Sequence, residues 1–366
     1  MSEKIRITRI ETASVSIPYK FPWRNRHTEE RGYPMTHLET TVLKVHTDAG
    51  IVGLGETRGK GARKVVAERF EPFLKGRDAL QIERVLTDLE EAVGRSGAFG
   101  GIDFALHDIA GKALGVPVYQ LLGGKVRDRV PLVWTLAYRS SVEQVAETRQ
   151  RVAEGFTHAV KMKVGVKGDL EHVLAVAEAA GGAPLRPDDN QGHDRETALR
   201  QFRVLKEKGV PLELLEDPSP SNWDDYQMLA EALDVGISVH AGWSSLKDIG
   251  DLIRANKPGI RCVNVTFAQW GIRRTAQIAG ALECAGIGWS MGTSHESGIK
   301  TAAALHTGVA VRNRLYPADV LGPMLFVDDV LAGPLDMGGG YGTPPDGPGL
   351  GIELDEEVLR KYAVQD

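Results

Sequence analysis

The chain has 366 residues, 42% hydrophobic and 25% charged, with a formal net charge of −5 at pH 7. That length sets two domains as the expectation, and the composition is that of an ordinary globular protein. An acidic balance without any basic block excludes nucleic acid as the expected partner. The start is charged rather than apolar, and no run reaches membrane-spanning length, so no membrane partner is expected. The two cysteines, Cys262 and Cys284, form no framework or metal-ligand spacing, which fits a reducing, cytoplasmic setting.

In chain order, residues 4–17 alternate in strand fashion, and residues 38–56 do so again around an Asp48-Ala49-Gly50 hairpin turn. Between them lies a polar, aromatic loop with Phe21, Trp23, Arg24, Arg26 and His27. A second loop carries Arg58, Lys60 and Arg63. Helical periodicity follows over residues 64–73, 79–93 and 101–114. Strands followed by helices make residues 1–125 an α+β domain.

After Gly123-Gly124 the rhythm changes. Short apolar runs recur, each followed by a helical pattern: 130–137, 158–165, 184–190, 210–216, 235–240, 260–266, 287–291 and a weaker one at 315–321. Such β–α alternation argues for a parallel barrel over residues 126–330, with a doubly wound sheet as the competitor. No glycine-rich phosphate-binding turn is present, so nucleotide binding has no motif behind it. Residues 331–366 are rich in Gly and Pro, then strand, then a short helix, and are expected to return to the first domain.

Active sites of such barrels sit at the carboxyl ends of the strands. The polar residues there are Lys161 and Lys163, then Asp188 and Asn190, then Glu216. Side chains alternate along a strand, so Lys161 and Lys163 point the same way, and each favours loss of the other's proton. Two amines facing two carboxylates are either buried ion pairs tying strands together or a metal-plus-base site. Carboxylate oxygens suit Mg²⁺, and a divalent ion beside an amine is suited to removing a proton next to a carboxylate. The cationic loops hint at a small anionic substrate, or else they are simply solvated.

These residues carry a resemblance. The chain resembles the enolase superfamily, in its muconate lactonizing enzyme (muconate cycloisomerase) and mandelate racemase branch. The matching pieces are Gly53-Leu54-Gly55-Glu56, the run 103–112, Trp134-Thr135-Leu136-Ala137, Lys161-x-Lys163, Arg186-Pro187-Asp188-Asp189-Asn190, Leu215-Glu216-Asp217-Pro218, the run 292–296 and Gly349-Leu350-Gly351. The resemblance implies an α/β fold: a modified (β/α)7β barrel with an N-terminal α+β capping domain, in a homo-oligomer. By position, Lys163 resembles the catalytic acid/base, Lys161 its partner, and Asp188 and Glu216 two of three metal ligands. Glu296 resembles the carboxylate on the last catalytic strand. Trp23, Arg24, Arg58, Asn190, Trp243 and His295 are the expected substrate contacts.

Two departures bear on the chemistry. The family carries a carboxylate after the fifth barrel strand as third metal ligand, where this chain has Gly242, and a lysine ending the sixth, where it has Thr266. His240, one pleat deeper than Gly242, is either a substitute ligand or a buried structural histidine; Trp243 is either a substrate wall or barrel packing. Without the sixth-strand lysine, two-base racemisation or epimerisation is disfavoured. One-base cycloisomerisation or β-elimination through an enolate-like intermediate is expected, on a small carboxylate substrate. The alternative is a metal-independent or non-catalytic member that binds a small anionic ligand.

Overall fold

The computed structural model describes residues 4–59, 61–94, 98–165, 169–240, 245–292 and 295–364. Gly242 and Trp243 lie outside them. The chain opens with an antiparallel sheet of β1 (Ile7–Trp23), β2 (Met35–Thr47) and β3 (Val52–Arg58), in that order. The hairpin closes as expected: Gly50 takes the left-handed φ of +74°, and the Thr47 amide donates to the Ile51 carbonyl. The stretch read as a loop differs. β1 runs on to Trp23, and helix α1 (Arg26–Arg31) follows at once. The Asn25 side chain accepts from the Thr28 amide while the Thr28 hydroxyl accepts from the Asn25 amide. That reciprocal cap starts a helix that polarity alone does not reveal.

Helix α2 (Ile82–Val93) and helix α3 (Phe99–Leu114) complete the first layer. The motif Gly53-Leu54-Gly55-Glu56 now has a physical reason. A Cβ on Gly53 would lie 2.2 Å from the Ala105 carbonyl oxygen, and one on Gly55 would lie 2.0 Å from that of Gly101. Only glycine lets β3 and α3 approach backbone to backbone. Asp108 on α3 accepts from the Leu54 amide at 2.9 Å and from the Leu350 amide at 2.8 Å. One buried carboxylate therefore joins the sheet, the helix and the C-terminal segment.

Seven parallel strands follow in sequence order: β4 (Trp134–Leu136), β5 (Val160–Lys163), β6 (Leu185–Asp188), β7 (Leu215–Glu216), β8 (Ile237–Val239), β9 (Ile260–Thr266) and β10 (Gly288–Gly292). An amphipathic or buried helix leads from each strand to the next, and α4 (Gly298–Ala310) follows the last. Residues 315–319 close the ring. They bridge Trp289 and Gly292 on one side and Leu132 on the other, and the Asp319 amide donates to the Met291 carbonyl at 2.8 Å. The architecture is the expected α/β barrel rather than a doubly wound sheet.

The first apolar run of the barrel is split. Val130–Pro131 pairs antiparallel with Tyr341–Gly342, and Trp134–Leu136 pairs with β5 in the barrel. Pro131 has no N–H to give, and the Leu132 amide donates to the Gly340 carbonyl at 2.9 Å instead. The sheet and the barrel meet through Glu56 at the end of β3. Its carboxylate accepts from the Ser297 amide and hydroxyl and the Lys300 amide, at the start of α4. Among the described residues no helix is long and apolar enough to cross a membrane.

Candidate active site

Three consecutive strands place their terminal polar residues in one space. β5 aims Lys161 and Lys163 to the same side, because alternate residues share a face. β6 ends on Asp188 and β7 on Glu216, which pair directly in the ladder. The Lys161 ammonium lies 2.8 Å from Glu216 Oε1, 3.0 Å from Asp188 Oδ2 and 3.4 Å from Asp319 Oδ2. Lys163 reaches Asp188 Oδ2 at 2.5 Å. β9 contributes Asn264, whose amide donates to Glu216 Oε1 at 2.8 Å.

The electrostatics fix Lys161 as a cation. Burial works against charge on Lys161, but Asp188, Glu216 and Asp319 outweigh it and hold its ammonium far above the usual lysine range. The sequence expectation that each lysine eases the other's deprotonation therefore fails for Lys161: carboxylates outnumber amines around it. Burial likewise raises Asp188, but Lys161 and Lys163 overcome it and keep that carboxylate ionised well below the ordinary range. Asp319 is lowered in the same way, with Thr135 donating to its Oδ1 at 2.8 Å.

The side where the family carries its second lysine is different. His240 Nε2 stands 3.2 Å from Thr266 Oγ1, and Nδ1 stands 3.8 Å from Glu216 Oε1. Burial depresses its affinity for a proton, against the pull of Glu216. The imidazole is thus a member of the site and not remote packing.

Among the described residues, no group of three His, Cys, Asp or Glu side chains is arranged to hold a metal ion. The donor set still suits a hard cation in part. Asp188 and Glu216 stand side by side, and Glu216 Oε2 is buried without a hydrogen-bond partner, as is Asn190 Oδ1. Mg²⁺ commonly takes one or two carboxylates and fills its shell with water and substrate oxygens.

The other expected contacts divide. Trp23 and His295 meet edge to face at 4.5 Å between ring centroids, with Tyr19 5.4 Å from the imidazole. Asn190, at a left-handed φ of +47°, donates its amide to Asp188 and accepts from Arg26 through its carbonyl. Arg24 is half exposed and paired with Glu29, and Arg26 is paired with Glu30. Both charges thus meet carboxylates of α1, while Arg26 also reaches across to Asn190. Arg58 extends to the Met35 sulfur. Glu296 is fully buried, with Oε1 accepting from the Gly322 amide at 3.1 Å. The carboxylate that reaches Lys161 from the closing segment is Asp319, which the sequence reading did not single out. Asp319 is the last polar residue of the weak eighth run, the position that Asp188 and Glu216 hold in theirs or close to it.

Residues 143–358 match the family model of the enolase C-terminal domain-like fold, and residues 33–123 match the mandelate racemase / muconate lactonizing enzyme N-terminal domain. The chain is 30% identical to a chloromuconate cycloisomerase of Cupriavidus necator, over 98% of this chain and 99% of that one. It superposes on the muconate lactonizing enzyme of Pseudomonas fluorescens complexed with muconolactone, with a TM-score of 0.89 at 30% identity, covering 99% of this chain and 100% of that one. An N-succinyl Arg/Lys racemase of Bacillus cereus also superposes with a TM-score of 0.89, at 24% identity over 99% of each chain, which speaks to fold alone. With both family models and a full-length relative matched, the chain belongs to the mandelate racemase / muconate lactonizing enzyme family of the enolase superfamily.

Proposed function

We propose that this enzyme is a cycloisomerase-type isomerase or lyase that moves a proton at the carbon next to a substrate carboxylate, with Lys163 as the acid and base. The observation that carries the reading is the contrast between the lysines. Lys161 is fixed as an ammonium by three carboxylates, while Lys163 touches Asp188 and keeps some exposure, 10%. A base needs a lone pair and access to carbon, and Lys163 is the amine with fewer carboxylate contacts. Lys161 keeps positive charge beside the developing enolate, and a fixed charge in a buried site stabilises it without reorganising.

Asp188 and Glu216 are the residues that would hold Mg²⁺. Such an ion would supply Lewis-acid stabilisation of the enolate oxygens. The charge balance supports this in spite of Gly242. Losing one carboxylate there and one lysine at Thr266 removes one negative and one positive charge together, so the pocket keeps the balance of the family pattern. Thr266 cannot serve as a base near neutral pH, and one-base chemistry on a single face follows. Trp23, Asn190, His295 and Trp243 are proposed as substrate contacts, and Glu296 as the catalytic carboxylate after the last barrel strand. Arg24 and Arg58 are proposed as outer contacts of the capping domain, residues 1–125, over a barrel of residues 126–330 and a returning segment of 331–366. The same reading takes the enzyme as a cytoplasmic homo-oligomer.

Incubation with muconolactone in D₂O tests the class. Proton NMR should show loss of the signal from the carbon next to the carboxylate, faster than without enzyme. An unchanged signal, with this and a panel of related carboxylates, would speak for the non-catalytic alternative.

A further inference from the structure

Directly after Asp188 the chain makes a tight loop, closed by a carboxylate and an imidazole. Asp189 is fully buried, and the His193 side chain is 10% exposed. Asp189 Oδ2 accepts from the His193 amide at 2.8 Å, and Oδ1 stands 2.6 Å from His193 Nδ1. Gln201, on the helix Arg195–Glu207, brings its amide nitrogen to 3.3 Å from Nε2. An amide nitrogen only donates, so Nε2 accepts and the ring proton sits on Nδ1, aimed at the carboxylate. Both oxygens of Asp189 therefore hold the residue four positions on.

The residues inside that loop are strained. Asn190 and Gln191 follow one another in the left-handed region, at φ +47° and +63°. Asparagine tolerates that region; glutamine has no such aptitude. Such conformations persist only where the surroundings over-determine them. Here the packing is backbone to backbone. A Cβ on Gly165, two residues beyond Lys163, would lie 2.6 Å from the Asp189 carbonyl oxygen, and one on Gly192 would lie 2.8 Å from the Gly165 Cα. The strained turn faces the site. The Asn190 amide donates to Asp188 Oδ1 at 3.1 Å, which leaves Oδ2 to Lys161 and Lys163. The Gln191 amide donates to the Asp217 carbonyl at 3.0 Å, at the exit of β7.

We propose that Asp189 and His193 are positioning residues: their pair holds Asn190 and Gln191 left-handed, which fixes the rotation of the Asp188 carboxylate beside Lys163 and turns Asn190 toward the substrate. Without the Nδ1 bond, only the His193 amide closes the loop. Asn190 then relaxes, Asp188 Oδ1 loses its donor, and the carboxylate turns away from Lys163. The consequence for turnover rests on the proposed function; the hold on the loop does not.

His193→Asn and His193→Gln test it. Asparagine keeps a donor where Nδ1 stands, whereas glutamine carries its amide out to where Nε2 stands. Backbone hydrogen exchange followed by NMR should show the Asn190 and Gln191 amides exchanging about 10-fold faster in His193→Gln than in wild type, the effect of one lost hydrogen bond. In His193→Asn they should stay close to wild type, and the amides of β5 and β8 should be unchanged in both. With muconolactone in D₂O, His193→Gln should slow α-proton exchange about 10-fold and raise KM about threefold, and His193→Asn should recover both. A smaller folded fraction would leave KM where it is. Unchanged loop amides in His193→Gln, equal losses in the two variants, or a loosened loop with unaltered proton exchange would overturn the proposal. A wild-type protein that leaves muconolactone untouched would count against the proposed function, and the loop amides would still decide the hold.

Discussion

His240 Nε2 stands 3.2 Å from Thr266 Oγ1, at the strand end where the family carries a lysine. An amine opposite Lys163 would deliver a proton to the second face of a planar enolate. A hydroxyl paired to a half-buried imidazole replaces it here. Deuterium taken up from D₂O by a chiral α-substituted carboxylate substrate should therefore appear with retained configuration. Chiral chromatography of the recovered substrate checks this, and a racemate would identify His240 as a second base.

Lys161 neutralises more buried charge than any other side chain in the site. Replacing it with Met strands Asp188, Glu216 and Asp319 around an apolar chain. Breaking a buried pair from one side costs about 3–5 kcal/mol. Urea unfolding of Lys161→Met should show a loss of that order, together with lost turnover. Lys163→Met, which abandons one contact at a partly open position, should lose clearly less stability.

If Asp188 and Glu216 hold a divalent cation, adding Mg²⁺ or Mn²⁺ should raise the melting temperature. A ligand at a hundred times its dissociation constant adds about 2.7 kcal/mol. Glu216→Gln should abolish the rise, because it removes a charged ligand while keeping the shape that Asn264 and Lys161 pack against. Absence of any metal-dependent rise in the wild-type protein would favour metal-independent chemistry.

Asp329 caps α4 through the Gly298 amide at 2.9 Å, and burial pushes its pKa up to about 6. A raised carboxyl pKa means the folded state prefers the protonated form. Stability is thus lost as the pH rises from about 4 to about 6 and stays reduced above that, by up to about 3 kcal/mol. Asp329→Asn keeps the acceptor and cannot ionise. Its stability relative to wild type should grow between pH 4 and pH 8, followed by urea unfolding at each pH.

The barrel was legible because the apolar runs were short and evenly spaced, several of them ending on polar residues. Lys161, Lys163, Asp188 and Glu216 fell out of that rule and do converge. Other parts were hidden for physical reasons. The helix after Trp23 depends on a reciprocal cap between Asn25 and Thr28, which only geometry reveals. A sequence does not show that Glu29 and Glu30 pair with Arg24 and Arg26, because the helix that carries both glutamates is itself hidden. Asp319 was missed because its segment makes only a few bridges to close the ring, so its strand pattern is weak.

The central claim is that the Lys163 amine removes a proton from carbon while Lys161 stays charged. Solvent exchange of the substrate α-proton in Lys163→Ala, followed by NMR in D₂O on folded protein, tests it most directly. The account predicts that exchange falls at least 1000-fold and that added methylamine partly restores it. Exchange at the wild-type rate in Lys163→Ala would contradict the account outright.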